Sequence, residues 1–110
     1  MQQFEIFWVD LDPTVGAEMK KLRPYVIVSP DDMNDYIKTL IVAPITSTQR
    51  SLPTRVLIKA SAQSGLKNDS YAALDQIKTI DKSRVSNKTG EISEEEKHAI
   101  SETLKEMFDY

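Results

Sequence analysis

Cysteine is absent from this chain, so neither a disulfide nor a thiolate zinc site can be built, and nothing suggests an oxidising compartment. Glycine occurs three times, never in a run, and no glycine-rich phosphate loop, zinc motif or nucleophile elbow is present. Histidine occurs once, as His98, among glutamates, where a solvated helix position is the ordinary reading. No apolar stretch approaches the ~20 residues that span a bilayer. The first residues, Met1 to Glu5, lack the basic stretch and apolar run of a signal peptide. A soluble cytoplasmic protein without a membrane segment is therefore expected. The acidic clusters are not metal sites either: Glu94, Glu95 and Glu96 suit a helix N-terminus, and Asp31 and Asp32 suit a turn. Neither a metal nor a cofactor is expected.

What the chain does hold is an ordinary globular composition, 40% hydrophobic and 28% charged over 110 residues. That length makes one domain, residues 1–110, with a small core, and small domains often gain stability by pairing with a copy of themselves. The formal net charge is −3, but it is unevenly spread. Residues 1–90 carry 12 Lys/Arg and 10 Asp/Glu, and residues 91–110 carry 2 Lys and 7 Asp/Glu. The body is slightly basic and the acid lies in a tail. Nucleic-acid binding depends on the field of one face, so this distribution permits it without arguing for it.

Aromatic and β-branched residues from Phe4 to Leu11 predict a first strand, with Phe4, Ile6 and Trp8 on one side, stopped by Asp12-Pro13-Thr14-Val15-Gly16. Ala17 to Leu22 reads as a long loop. Tyr25 to Ser29 is a second strand. Pro30 breaks it, and Asp31 or Asp32 is expected to cap a helical turn reaching Tyr36. Lys38 to Ile45 is a third strand whose apolar run predicts burial on both faces, with Pro44 marking an edge or a bulge. After a turn at Leu52-Pro53 comes a fourth strand, Thr54 to Ile58, then a polar loop, Ser61 to Asp69. A fifth strand runs from Ser70 to Ile80 with a bend near Asp75, and Asp81 to Val85 reads as a single helical turn. The period then changes. Ser93 and Glu96 form a capping-box pair, and Ala99, Ile100, Thr103, Leu104, Met107 and Phe108 repeat at helical spacing, predicting one amphipathic helix, Glu94 to Phe108. Five strands and a terminal helix make an α+β domain dominated by a partly closed antiparallel barrel.

The polar residues left over sit at strand ends. Arg23 stands at a strand entrance, with Glu18 five residues before it; Thr46-Ser47-Thr48 stands at a strand exit; Asp75 interrupts two apolar segments. Each has a plain structural explanation: a surface arginine with a fixed backbone, turn chemistry, and a bulge or local hydrogen bond. Composition and periodicity stop there.

The combination says more. Trp8 to Glu18, followed by Arg23-Pro24-Tyr25-Val26-Ile27-Val28-Ser29, closely resembles the opening signature of the MazF/PemK toxin family. Ala43-Pro44-Ile45-Thr46-Ser47, Leu52-Pro53-Thr54-Arg55-Val56 and Asp75 to Arg84 resemble three further segments in the right order, so the likeness covers about residues 4 to 108. It implies an SH3-like barrel with a C-terminal helix, paired as a homodimer. It implies sequence-selective, metal-independent cleavage of single-stranded RNA, chiefly messenger RNA, and an unstable antitoxin that blocks the site. Operator DNA would be met only through the antitoxin complex.

Carried over by position, Arg23 matches the family's catalytic arginine and Thr46 the hydroxyl residue beside it. Glu18 matches a loop glutamate implicated in some members, and Asp75 a carboxylate implicated in others. The chain departs from the family in several places. Phe4 replaces the glycine that usually opens the first strand, a change expected to touch only strand geometry. Met19-Lys20-Lys21-Leu22 replace the usual loop. Ala17 and Ala73 stand where some members place a histidine and an arginine, so an acid–base pair relying on either is unavailable.

The chemistry suits what remains. RNA brings its own nucleophile, the 2′-hydroxyl, and the enzyme must take its proton and stabilise charge on phosphorus. The Arg23 guanidinium is a planar fork matched to phosphate oxygens. Thr46 can donate to a second oxygen, and Glu18 or Asp75 is the candidate base. Lys20, Lys21, Arg50, Arg55 and Lys78 are candidate phosphate partners, and Ser47 and Gln76 are further RNA-contact candidates. Two other readings share the fold: a gyrase-binding toxin without enzymatic activity, and a catalytically inactive antitoxin-binding regulator.

Overall fold

The computed structural model describes residues 1–11, 22–48 and 51–110. Its strands are β1 (Glu5–Asp10), β2 (Leu22–Ile27), β3 (Thr39–Thr46), β4 (Arg55–Ile58), β5 (Ser70–Ala73), β6 (Lys78–Asp81) and β7 (Val85–Glu91). Two α-helices, α1 (Asp31–Asn34) and α2 (Glu94–Phe108), complete it, with 3-10 turns at Leu74–Gln76 and Lys82–Arg84. Every strand pairing is antiparallel, in the order β4-β5-β3-β2-β1-β7, and β6 also pairs with β3. Among the described residues the end strands β4 and β7 do not pair, so the barrel is partly closed, as the sequence predicted.

β3 holds the architecture together. Along one edge it pairs with β6 through Thr39–Val42 and then with β5 through Ile45 and Thr46. Pro44 falls in the gap of that edge, after Val42, the last residue paired with β6, and before Ile45, the first paired with β5, while on its other side it stands opposite Tyr25 of β2; a residue without an N–H suits that gap. Both faces of β3 are covered, as its apolar run predicted. Ala43 and Ile45 join one core with Ile6, Val26, Ile58, Leu74 and Ile100. Leu40 and Val42 join a second core with Val9, Tyr25, Ile27 and Ile80.

Helix α2 covers the first core through Ile100, fully buried, with Leu104 and Met107 packed beside it. Its capping box forms as expected: Ser93 Oγ accepts from Glu96 N at 3.2 Å, and Glu96 Oε1 accepts from Ser93 N at 2.9 Å. The other carboxylate oxygen of Glu96 accepts from Lys59 N at 2.8 Å, so one side chain caps the helix and ties it to the end of β4.

Four expectations need correction. The five predicted strands are seven among the described residues. The bend at Asp75 is a 3-10 turn that splits the fifth predicted strand, sending β5 and β6 to different stretches of β3. The sequence pattern does not predict β7, because Val85 to Glu91 is mostly polar and carries no alternating apolar residues; none of it is fully buried. Its pairing with β1 is backed by the 61–66 loop: Glu91 N donates to Gln63 O at 3.0 Å and Thr89 Oγ1 to Ser64 O at 3.1 Å. Two glycines permit that approach. A Cβ on Gly65 (φ +72°) would lie 2.1 Å from the Thr89 carbonyl oxygen, and one on Gly90 would lie 2.1 Å from that of Gln63.

Neither aspartate caps α1 through its side chain. Pro30 is the N-cap residue, and Asp31 Oδ1 instead accepts from Gln3 N at 2.7 Å. β2 begins at Leu22, ahead of its predicted start at Tyr25, because β1 pairs with it down to Asp10↔Leu22. Phe4 changes more than strand geometry: its φ of 73° is the one positive value among described non-glycine residues. A left-handed residue with a Cβ costs roughly 1–2 kcal/mol. Here the Phe4 ring packs against the first core, and its N–H reaches Ile27 O at 2.6 Å, holding it in place.

Candidate active site

Over the Val9 and Tyr25 face of the sheet lies an open cleft of about 900 Å³. Backbone pairing dictates what reaches it. Arg23, exposed, stands opposite Val9 in the β1–β2 ladder, and Tyr25 follows two residues later on the same face. Both line the cleft, as do Thr46 and Ser47 where β3 ends. Arg55, which opens β4, and Ala73, which closes β5, face each other at its other side, and Asp75, Gln76 and Lys78 follow. Every candidate residue that the structure describes therefore meets in this one cleft. Glu18, Lys20, Lys21 and Arg50 lie outside the described residues, as do Ala17 to Lys21 of the predicted loop.

Thr46 is fixed from one direction. Its Oγ1 accepts from Thr48 N at 3.1 Å, which leaves the hydroxyl hydrogen free to donate elsewhere. Asp75 is held on both oxygens. Arg55 Nε donates to Oδ1 at 3.0 Å and Nη2 to Oδ2 at 3.3 Å, while Thr54 Oγ1 donates to Oδ1 at 3.1 Å. Partial desolvation pushes the Asp75 carboxyl up, but the Arg55 and Thr54 hydrogen bonds and the Arg55 charge outweigh it and hold its pKa below the ordinary value.

Tyr25 is the cleft residue that sequence reasoning missed. It reads as a strand core residue and is one, at 6% exposure, yet it also floors the cleft, with Lys78 Nζ 6.0 Å above its ring centroid. Burial pushes its phenol pKa up, partly offset by the charge of Arg23. Nothing in a Tyr-Val-Ile run distinguishes such a tyrosine.

The cleft's described lining carries three cations, Arg23, Arg55 and Lys78, against the single carboxylate of Asp75, which Arg55 engages. No residue of the acidic helix α2 is among them, so the site keeps a positive field although the chain is net negative. That arrangement suits a phosphodiester. His98 lies exposed on α2, away from the cleft. Among the described residues no group of three or more His, Asp or Glu is placed to hold a metal ion, and no helix is long and apolar enough to cross a membrane.

Known proteins resemble the chain along nearly its whole length. A family model described as PemK-like, MazF-like toxin of type II toxin–antitoxin systems matches residues 2–108. Endoribonuclease EndoA of Bacillus subtilis (strain 168) is 36% identical over 102 residues, spanning 91% of this chain and 87% of that protein. Toxin MazF-mt6 of Mycobacterium tuberculosis superposes with a TM-score of 0.79 at 28% identity, covering 96% of each chain. A mycobacterial endoribonuclease solved in complex with its cognate antitoxin shares the fold, with a TM-score of 0.80 at 22% identity over 96% of this chain and 92% of that one.

Proposed function

Because the chain belongs to the PemK-like, MazF-like family of toxins of type II toxin–antitoxin systems, we propose that its cleft is the active site of a metal-independent endoribonuclease acting on single-stranded RNA. The observation that carries this reading is the meeting of Arg23, Thr46 and further cations in one electropositive cleft.

The chemistry follows from those groups. A carboxylate, Glu18 or Asp75, takes the proton of the ribose 2′-hydroxyl, whose oxygen attacks the adjacent phosphorus. The P–O5′ bond breaks as the new P–O2′ bond forms, leaving a 2′,3′-cyclic phosphate and, once the departing oxygen is protonated, a 5′-hydroxyl. Arg23 meets the charge on the non-bridging oxygens through its planar donors, and Thr46 donates to a second oxygen. Lys78, Arg55, Ser47 and Gln76 contact the flanking nucleotides, with Lys20, Lys21 and Arg50 as further phosphate partners.

As a toxin of this family the protein halts growth from within the cytoplasm by cutting messenger RNA, and a cognate antitoxin neutralises it. It acts as a homodimer, and operator DNA is met only through the antitoxin complex. Support for a protein partner comes from the β1–β2 ribbon, where Trp8, opposite Pro24, and Leu22 are exposed at 38% and 43%.

The test is incubation of the protein with a long unstructured RNA in excess chelator, beside Arg23→Ala, with mapping of new ends. Discrete cuts with 5′-hydroxyl ends, absent in the variant, are expected and would reveal the recognised RNA word. No cleavage of several RNAs by folded wild-type protein would sink the enzyme reading and turn attention to gyrase inhibition.

A further inference from the structure

Resting on the ribonuclease reading, we propose that Asp75 is a positioning residue, not the general base: it aims Arg55 into the cleft as a second phosphate-binding guanidinium that acts with Arg23.

The backbone first brings the pair together. Arg55 and Ala73 are directly opposite in the β4–β5 ladder, and a methyl group at 73 leaves the long arginine room to turn toward the cleft. Both sides of the contact are tied down. Arg55 N donates to Leu52 O at 3.1 Å, and Leu74 N donates to Thr54 O at 3.0 Å, with the Leu74 side chain fully buried beneath.

Next comes the geometry of the contact. Asp75 grips the Nε and Nη2 side of the guanidinium with both oxygens, a fork-to-fork arrangement that fixes the plane of the group. Arg55 is the deeper partner, its side chain 6% exposed against 33% for Asp75. An arginine held this way has lost its rotamer freedom before any ligand arrives, so little further ordering is needed on binding. Its Nη1 hydrogens have no partner among the described residues. Yet no buried side-chain nitrogen there lacks a hydrogen bond, so Nη1 reaches solvent, and the space in front of Arg55 is the cleft.

Asp75 is by the same token poorly suited to accept a proton. Both its oxygens already accept hydrogen bonds, and taking the 2′-hydroxyl proton would dismantle the ion pair that fixes Arg55. Its proton affinity is lowered by Arg55 and Thr54, the reverse of what a base near neutral pH requires.

The experiment is a double-mutant cycle on the intact protein with Asp75→Asn, Arg55→Ala and the pair. It uses a short single-stranded RNA holding one mapped cut site, and the same RNA with a 2′-deoxy residue at the cut as an uncleavable ligand. Arg55→Ala should lower kcat/KM about a hundredfold and reduce the salt slope of binding by about one phosphate contact. Asp75→Asn, nearly isosteric, should cost about tenfold to a hundredfold, because a misaimed donor loses much of its effect. The pair should be no worse than Arg55→Ala alone, and the acid limb of the pH–rate profile should keep its midpoint in Asp75→Asn. Multiplicative losses, or an acid limb that vanishes in Asp75→Asn while Arg55→Ala stays active, would overturn the proposal. Arg55→Lys, with thermal melts of every variant, separates aiming from misfolding: it should stay folded yet recover little activity, because lysine lacks the fork. Absence of cleavage by wild type would refute the ribonuclease reading alone. Binding of an unstructured single-stranded RNA, which needs no mapped cut, would still judge the pair: non-additive losses uphold it, and additive losses or none reject it.

Discussion

Replacing Thr46 with valine removes one oxygen and one hydroxyl hydrogen while keeping the β-branched shape that suits the end of β3. Two costs follow, of different size. The stability cost is the hydrogen bond from Thr48 N to Oγ1, 3.1 Å long and exposed, where water can replace the lost acceptor. Such a bond is worth about 0.5 kcal/mol, the low end of the usual range. In a domain of this size that lowers Tm by roughly 2–4 °C. The catalytic cost is a donor aimed at a phosphate oxygen in the transition state, typically about a hundredfold to a thousandfold in kcat, or ~2.7–4 kcal/mol. The second figure is several times the first, so lost cleavage cannot be traced to unfolding. Initial rates on an RNA with one mapped site, measured in chelator at 25 °C with a thermal melt of each protein, separate the two. Thr46→Ser keeps the hydroxyl and should stay within about tenfold of wild type, with some loss from its freer χ1. A folded Thr46→Val protein cleaving within about threefold of wild type would refute the argument that Thr46 stabilises charge on phosphorus.

Acid should weaken the join between β1 and β7. Burial pushes the Glu5 carboxyl up, but the Lys88 ion pair and the Gln2 N–H outweigh it and leave its pKa below the ordinary 4.5. Stabilisation from Glu5 is then fully present above pH 4.5 and lost as pH falls through the lower folded value. Urea melts of wild type and Glu5→Gln should differ at pH 7 and converge in acid; a gap that persists undiminished at pH 2 contradicts this. Ile100→Ala should cost about 2–5 kcal/mol, since the side chain is fully buried where α2 meets the first core. A urea midpoint unchanged from wild type would show that α2 does not seal that core.

Much was legible in the sequence because the signals are local. The capping box of α2 needs only Ser93 and Glu96 at the right spacing, and burial on both faces of β3 needs only an unbroken apolar run. Arg23 and Thr46 stood out through motif resemblance, and the fold brings both to one cleft. Phe4 shows the limit of such reading: that a side chain stands at this position is visible in the chain, but that its φ is 73°, held by core packing and a bond to Ile27, is not.

The long-range relations lay beyond it. The polar run Val85 to Glu91 has no strand pattern of its own and pairs only because β1 and the glycine-lined approach of the 61–66 loop receive it. The break at Asp75 divides one apparent strand between two stretches of β3, a choice made by the partner strand. By itself the sequence determined the elements with strong local patterns, the acidic tail and the residue types available for phosphate chemistry, because side-chain period and composition act over a few residues. Tertiary structure alone decided that Arg55 and Asp75, twenty residues apart, form a two-bond ion pair, and that Tyr25 is both core and cleft floor. Those facts depend on strand register, which is settled only when the whole sheet closes over its two cores.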